Sequence, residues 1–460
     1  MKKTIFLSLM ILIFVGEISS QSTKYRVLFT DKANTPYNIS TPSAFLTARA
    51  IQRRANQGIP IMQNDLPVDP VYVQQVIAAG ATVLHTSRWF NSVTVNIPDS
   101  TVLVAVQALT CVQNVQAVNR IKIPLPVEYD QAKIQNSNSN KKMQLDIMTN
   151  VYDYGQALTQ VTQLGGDCMH NQGYDGKNMV ICVLDAGFLN VDTLTCFDSL
   201  WLKNQVLGTW DFVANESSVF EDHSHGAMVL SCMGANWPGQ LVGTAPQAKY
   251  WLVRTEEAST ELVIEEDNWA SGAEFADSVG ADVINSSLGY TTFDISSQNH
   301  TYATLDGNTA IATIAADLAA SKGILVCNSA GNEGANPWKY IGIPADADSI
   351  CTVGAVDGAG IRAGFSSQGP TADGRIKPDV AAMGNGTSVI SPFSGTVIQS
   401  GGTSFSSPLT AGMMACIWQA NPSKNNMEII ASVRSSGNQA ANPDTLLGWG
   451  VPNYCTANLI

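Results

Sequence analysis

A chain of 460 residues, 45% of them apolar, is long enough for two domains and rich enough to bury a large core. Its 25 basic residues against 38 acidic ones leave a formal charge of −13, which argues against a nucleic-acid binder, because neutralising phosphates needs clustered lysine and arginine. Only 14% of the residues are charged, so the surface must draw on Asn, Gln, Ser and Thr.

The first twenty residues read as a secretory signal. Lys2 and Lys3 form a basic start, Ile5 to Val15 an apolar stretch too short to span a bilayer, and Ser19-Ser20 a small-residue cleavage site before Gln21. The expected location is therefore secreted, periplasmic or at the cell envelope, with no membrane span left once the signal is gone.

From Lys24 to Ile123 periodicity predicts a strand over Tyr25 to Thr30, a helix over Pro42 to Gln57 and a second helix over Pro70 to Ala79. A strand pair broken near Asn91 follows over Ala81 to Ile97, then a helix over Thr101 to Leu109 and a strand over Val112 to Ile121. This order predicts a small open-faced, ferredoxin-like α+β domain over residues 21–127. Arg49, Arg53 and Arg54 on its first helix read as a solvated face. Residues 128–150 turn to Asn, Gln, Ser and Lys and read as a linker and processing region.

Residues 151–460 alternate short apolar strands with helices. Met179 to Leu184, Lys249 to Val253, Ala281 to Ile284, Ile324 to Val326 and Ile350 to Val356 are strands fit for a sheet covered on both faces. The helices between them run over His225 to Ala235, Glu265 to Val279 and Thr309 to Lys322, which predicts a doubly wound, mostly parallel α/β sheet. Of nine cysteines, Cys182, Cys327, Cys351 and Cys416 lie in apolar runs and read as buried hydrophobes. The odd count forbids full pairing, and Cys168 with Cys196 is the one bridge considered. No Cys-x-x-Cys pair favours a structural zinc.

Four polar groups stand at the ends of these elements. Asp185 ends the Met179 to Leu184 strand, His225 opens an apolar helix, Asn332 sits on the glycine-flanked turn Ser329-Ala330-Gly331-Asn332, and Ser404 precedes the apolar run Leu409 to Ala420. Pro408 is expected near the first turn of that last helix, where a missing N–H costs nothing. Each has a plainer reading: a turn-forming Asp or Asn, a helix-capping Gly-Thr-Ser, a metal site made of Asp222, His223 and His225. His223 reads as an exposed loop residue.

In that order, and in those settings, residues 178 to 420 resemble the subtilisin-like serine proteases. Val183-Leu184-Asp185-Ala186-Gly187 is similar to the family's aspartate block and Ser224-His225-Gly226-Ala227-Met228-Val229 to its histidine block. Val283 to Gly289 is similar to the substrate-binding strand, Ala330-Gly331-Asn332 to the oxyanion block and Gly402-Thr403-Ser404 to the serine block. The chain departs from the family at Ala186, usually Ser or Thr, at Met228, usually His, and at Phe405-Ser406, usually Met-Ala.

The resemblance implies acyl transfer, with His225 as base to Ser404, Asp185 holding the imidazole, and the Asn332 amide and Ser404 N–H receiving the oxyanion. It implies that Ser287, Leu288 and Gly289 pair with an extended protein or peptide substrate. With Ser329, Ala330 and Gly331 they would wall a pocket for a medium or large apolar side chain before the cut. The N-terminal domain resembles the family's propeptide, an intramolecular inhibitor, removed by a cut between Ile123 and Asp146. No cofactor or catalytic metal is expected. The run from Glu256 to Asp267 reads as a solvated loop and helix start, with structural calcium as its alternative. A catalytically weak peptide-binding relative, and an esterase or peptidyl transferase using the same three residues, stay open.

Overall fold

Val180–Asp185, Val283–Ser286, Leu325–Ser329 and Cys351–Val356 are buried at every position, which requires cover on both faces of the sheet they form. The computed structural model describes residues 23–120 and 150–460, so the expected signal and the Ile123 to Asp146 window lie outside the described residues. The four strands belong to a seven-stranded sheet, parallel throughout. Its order is Val380–Met383, Cys351–Val356, Leu325–Ser329, Val283–Ser286, Val180–Asp185, Lys249–Arg254, Val206–Asp211.

The chain lays down Val180–Asp185 first, builds on one side of it, then crosses to the other side with Val283–Ser286. That first strand is the switch point, beside which loops part and leave a crevice at the carboxyl edge. Alternate residues of the strand enter two cores. Ile181 and Val183 pack with Val229, Leu409 and Met413, from helices His225–Gly234 and Thr403–Ala420. Cys182 and Leu184 pack with Trp269, Ala273 and Ala315, from helices Ile264–Val279 and Ile311–Ser321.

The N-terminal domain is a four-stranded antiparallel sheet, ordered Thr82–Ser87, Ser92–Ile97, Thr23–Phe29, Val112–Arg120. Val76 and Val106, from helices Pro70–Ala78 and Ser100–Gln107, pack on Val27, Val93 and Val95. Asn91, at φ 49°, lies in the turn that joins Thr82–Ser87 to Ser92–Ile97. The helix expected over Pro42 to Gln57 is divided: a 3-10 turn, Pro42–Ala44, precedes a helix Ala48–Asn56. Thr47 stands between them as an N-cap, its side chain accepting from Ala50 N, and so starts the helix later.

The arginines of that helix overturn the expectation of a solvated face. Arg53 and Arg54 are buried, and both reach Asp277 of helix Ile264–Val279, at 2.5 and 2.6 Å, where Arg88 joins them at 2.5 Å. Arg54 also pairs with Asp65 at 2.7 Å, and Lys322 closes on the same carboxylate at 3.0 Å. Arg49 pairs with Asp282. The polar helix face meets a carboxylate-bearing helix rather than water. Glu274, one turn before Asp277, accepts from Ser87 Oγ, Arg88 N and Trp89 N.

The acidic run is likewise not a solvated segment. Glu265, Glu266 and Asp267 are buried, Asp267 paired with Arg26 and Glu266 with His300. The disulfide joins Cys168 to Cys455, not to Cys196, which lies as a free thiol in the core beside Phe197 and Leu200. Among the described residues no helix is long and apolar enough to cross a membrane.

Removing one partner of a buried ion pair strands the other, at a cost of about 3–5 kcal/mol. Asp277→Ala, which leaves Arg53 and Arg88 without a carboxylate while Arg54 keeps Asp65, is expected to lower the stability of the full-length chain by at least that much in chemical denaturation. An unchanged midpoint would show the network to be energetically idle.

Candidate active site

Asp185 is fully buried at the end of its strand, where a carboxylate must find donors. Its Oδ1 accepts from Ala186 N at 2.8 Å and from His225 Nδ1 at 2.7 Å. Oδ2 has no partner among the described residues, and Ala186 has no hydroxyl to offer one. His225 is the first residue of its helix. Gly226 lets that helix close on the Asp185 loop: its N–H bonds Gly187 O at 2.9 Å, and a Cβ there would stand 2.4 Å from that same oxygen. Burial disfavours the imidazolium, but the Asp185 charge and hydrogen bond outweigh it and raise the His225 pKa above its ordinary 6.5.

Ser404 is the second residue of helix Thr403–Ala420, so its N–H is one of the first-turn donors that a helix cannot satisfy internally. Pro408 lies inside this helix rather than at its first position. Lacking an N–H, it leaves Ser404 O without the usual donor four residues on, and Ser287 Oγ fills the vacancy at 2.9 Å. Ser404 Oγ donates to Ser287 O at 3.4 Å, a long contact. Phe405, the next residue, sets its ring 6.1 Å from the His225 ring.

Asn332 is anchored by its oxygen. Oδ1 accepts from Thr403 N at 2.9 Å and Thr403 Oγ1 at 3.0 Å, capping the Ser404 helix from another strand's loop and leaving Nδ2 to point outward. A methyl built on Gly402 would lie 3.7 Å from both Asn332 Nδ2 and Ser404 N. Two donors thus converge on space kept open by a glycine. Such a pair can hold an oxyanion.

Ser287, Leu288 and Gly289 run on from the Val283–Ser286 strand, with Gly289 exposed. Ser329, Ala330 and Gly331 run on from its neighbour, and Asn328 Nδ2 ties the two walls by bonding Leu288 O at 3.2 Å. Gly331 has φ 106°, and its N–H bonds Thr403 Oγ1 at 3.1 Å. Sequence reasoning missed several supporting groups: Asn285, which bonds Ser287 and Ser407, and Arg254, whose Nε holds Ala186 O at 3.1 Å while its head pairs with Asp211. Apart from the Asn285–Ser287 bond, those contacts link residues far apart in the chain.

His223 is exposed, and its Nδ1 accepts from His225 N at 3.3 Å. Among the described residues, the three side chains whose ligand atoms come together are Glu256, Glu261 and Glu265 rather than Asp222, His223 and His225.

Residues 176–450 match the model of the Subtilase family, and residues 24–140 match that of the Peptidase S8 propeptide domain, Bacteroidota. With the doubly wound sheet, these matches define a serine endopeptidase carrying a propeptide domain. Subtilisin E of Bacillus subtilis (strain 168) is 31% identical over 297 residues, 63% of this chain and 69% of its own. Subtilisin of Bacillus pumilus is 32% identical over 274 residues, 58% of this chain and 87% of its own. The chain belongs to the subtilase family. The crystal structure of fervidolysin from Fervidobacterium pennivorans, described as a keratinolytic enzyme related to subtilisin, shares the fold at a TM-score of 0.64. It is 18% identical, over 96% of this chain and 62% of its own.

Two outcomes follow from the geometry. Gly402→Ala places a methyl between the two donors, and kcat is expected to fall by about 100-fold, the order associated with losing one such donor, while KM changes little. In NMR titration the His225 imidazole is expected to titrate above 6.5, and Asp185→Asn, which removes the charge that raises it, is expected to bring the midpoint down. A midpoint that ignores the substitution would discard Asp185 as the cause.

Proposed function

We propose that this protein is a secreted endopeptidase made as a proenzyme, cutting peptide bonds through Asp185, His225 and Ser404. The observation that carries the reading is the convergence of Asn332 Nδ2 and Ser404 N on the open space at Gly402. The hydroxyl would leave Ser287 O, pass its proton to His225 Nε2 and attack a carbonyl carbon. The carbonyl oxygen, now an anion, would take the two N–H donors. Asp185, bonded to Nδ1, keeps Nε2 unprotonated until that moment and stabilises the imidazolium afterwards. His225 would then give the proton to the leaving amine, and water would repeat the cycle on the acyl-enzyme. Because the base must be neutral, activity is expected to fall as pH drops through the raised His225 pKa.

The proposed division is a signal over residues 1–20, a propeptide over 21–127, a processing region over 128–150 and the catalytic domain from 151. Lys2, Lys3 and the apolar run after them support export. The ion-paired docking of Arg26, Arg53, Arg54 and Arg88 on the Ile264–Val279 helix supports an inhibitor that holds its own enzyme. Proteins or peptides are the proposed substrates, with a medium or large apolar side chain before the cut, and the chemistry asks for no cofactor. The unpartnered Asp185 Oδ2 favours a second reading, a catalytically weak relative that binds peptide.

Wild type and Ser404→Ala separate the two. Wild type is expected to shorten by about the size of the N-terminal region and to degrade an unfolded protein, while the variant stays full length and loses activity by more than about a thousand-fold. If both chains stay full length and inert, the binding reading replaces the enzyme.

A further inference from the structure

Three glutamates gather at the start of helix Ile264–Val279, and no ion pair among the described residues holds any of them. Glu256 follows shortly after the Lys249–Arg254 strand, and Glu261 and Glu265 lie before and within the start of helix Ile264–Val279. One carboxylate oxygen from each lies within 4.8 Å of the other two. The neighbouring cations have other partners: Arg254 pairs with Asp211, Asp222 and Glu257, and Arg26 with Asp267. Lys24 feels Glu257 and Glu265 without pairing with either, and it belongs to the domain that processing would remove.

Glu265 adds a second observation. It is fully buried, its Oε2 accepts from Leu262 N at 3.0 Å, and its Oε1 meets no donor within hydrogen-bond distance among the described residues. A buried, unpartnered carboxylate oxygen implies an absent donor. Burial, reinforced by the neighbouring glutamates, holds the Glu256 and Glu265 carboxyls well above their usual range, and burial with Asp294 brings Glu261 to about 7. An arriving cation would relieve all three.

The place of the group says where that cation comes from. Tyr290 Oη donates to Glu256 Oε2 at 3.0 Å, and Tyr290 directly follows Gly289 on the strand that a substrate would pair with. At about 3.3 Å per residue, Tyr290 stands about 10 Å beyond Ser287, whose carbonyl touches the Ser404 hydroxyl. Glu256 and Glu261 are half-buried, so the group opens to solvent, and Glu256 feels the charge of Asp185. Among the described residues three carboxylates converge here, against the roughly 6–8 oxygens that a calcium ion gathers. A single ammonium or guanidinium needs fewer and arrives on a flexible stem.

We propose that Glu256, Glu261 and Glu265 form an acidic subsite that takes a lysine or arginine side chain of the substrate, about three residues upstream of the cut. The proposal rests on the protease reading above. The test uses the processed enzyme and fluorogenic peptides that differ only in carrying Lys, Arg, Gln or Glu at each of the second to fourth positions before the cut. At one of these positions Lys and Arg are expected to exceed Gln in kcat/KM by about ten-fold, with Glu slowest. Glu261→Gln, at the half-buried rim where folding is least at risk, is expected to bring Lys and Gln close to parity, and Glu256→Gln to act in the same direction.

Equal rates for Lys and Gln at every position, in an enzyme that cuts the peptides, would sink the subsite and leave the protease standing. Failure to cut any of them would sink both. Millimolar calcium chloride that raises the melting temperature of wild type but not of Glu261→Gln, while the Lys preference is missing, would replace the subsite with a metal site.

Discussion

The cleft depends on the ionisation of one buried carboxylate. Asp185 lies at the end of the strand from which the sheet grows both ways, so its oxygens face the crevice that the topology itself opens. With Oδ1 shared between a backbone N–H and His225 Nδ1, its charge is held by two donors, one of them the ring it orients. That bond fixes the tautomer, and a tautomer fixed at Nδ1 leaves the other nitrogen as acceptor. Arg254 supports the arrangement from behind, gripping Ala186 O, so the loop after the carboxylate cannot drift.

Across the crevice the same economy recurs at the helix that bears Ser404. Its first turn is finished from outside: Asn332 Oδ1 caps Thr403 N, and Ser287 Oγ satisfies the carbonyl that Pro408 cannot reach. Groups that would otherwise be helix-end orphans become the fastening between three loops. The contact between the two domains follows different physics. Asp277 and Glu274 meet arginines and backbone amides, so each side of the contact is a surface that water could solvate if the two were parted.

Much of this was legible because the signals are local. Asp185, His225, Asn332 and Ser404 each stand at an element's end within a short pattern, and the apolar runs of Met179 to Leu184 and Ile350 to Val356 mark strands covered on both faces. What could not be read was the choice of partner. Arg53 and Arg54 on a polar helix face look the same whether they meet water or Asp277, more than two hundred residues away. Cys168 gives no sign that it pairs with Cys455, and Glu265 and Asp267 look like solvated acids until Leu262 and Arg26 close over them. Pro408 pointed to a helix start near Ser404, where the helix does begin, but the proline itself stands deeper in the helix, its missing N–H replaced by Ser287 Oγ.

The disulfide carries a consequence of its own. Cys168 and Cys455 are separated by 287 positions, so the covalent loop they close contains Asp185, His225, Asn332 and Ser404. A protease among its own copies is exposed to nicking by them. Any single cut inside that loop leaves both pieces on one molecule, where the buried sheet can keep them in register. A nicked molecule then loses a peptide bond but sheds no fragment, and it would still migrate as an intact chain until its disulfide was reduced.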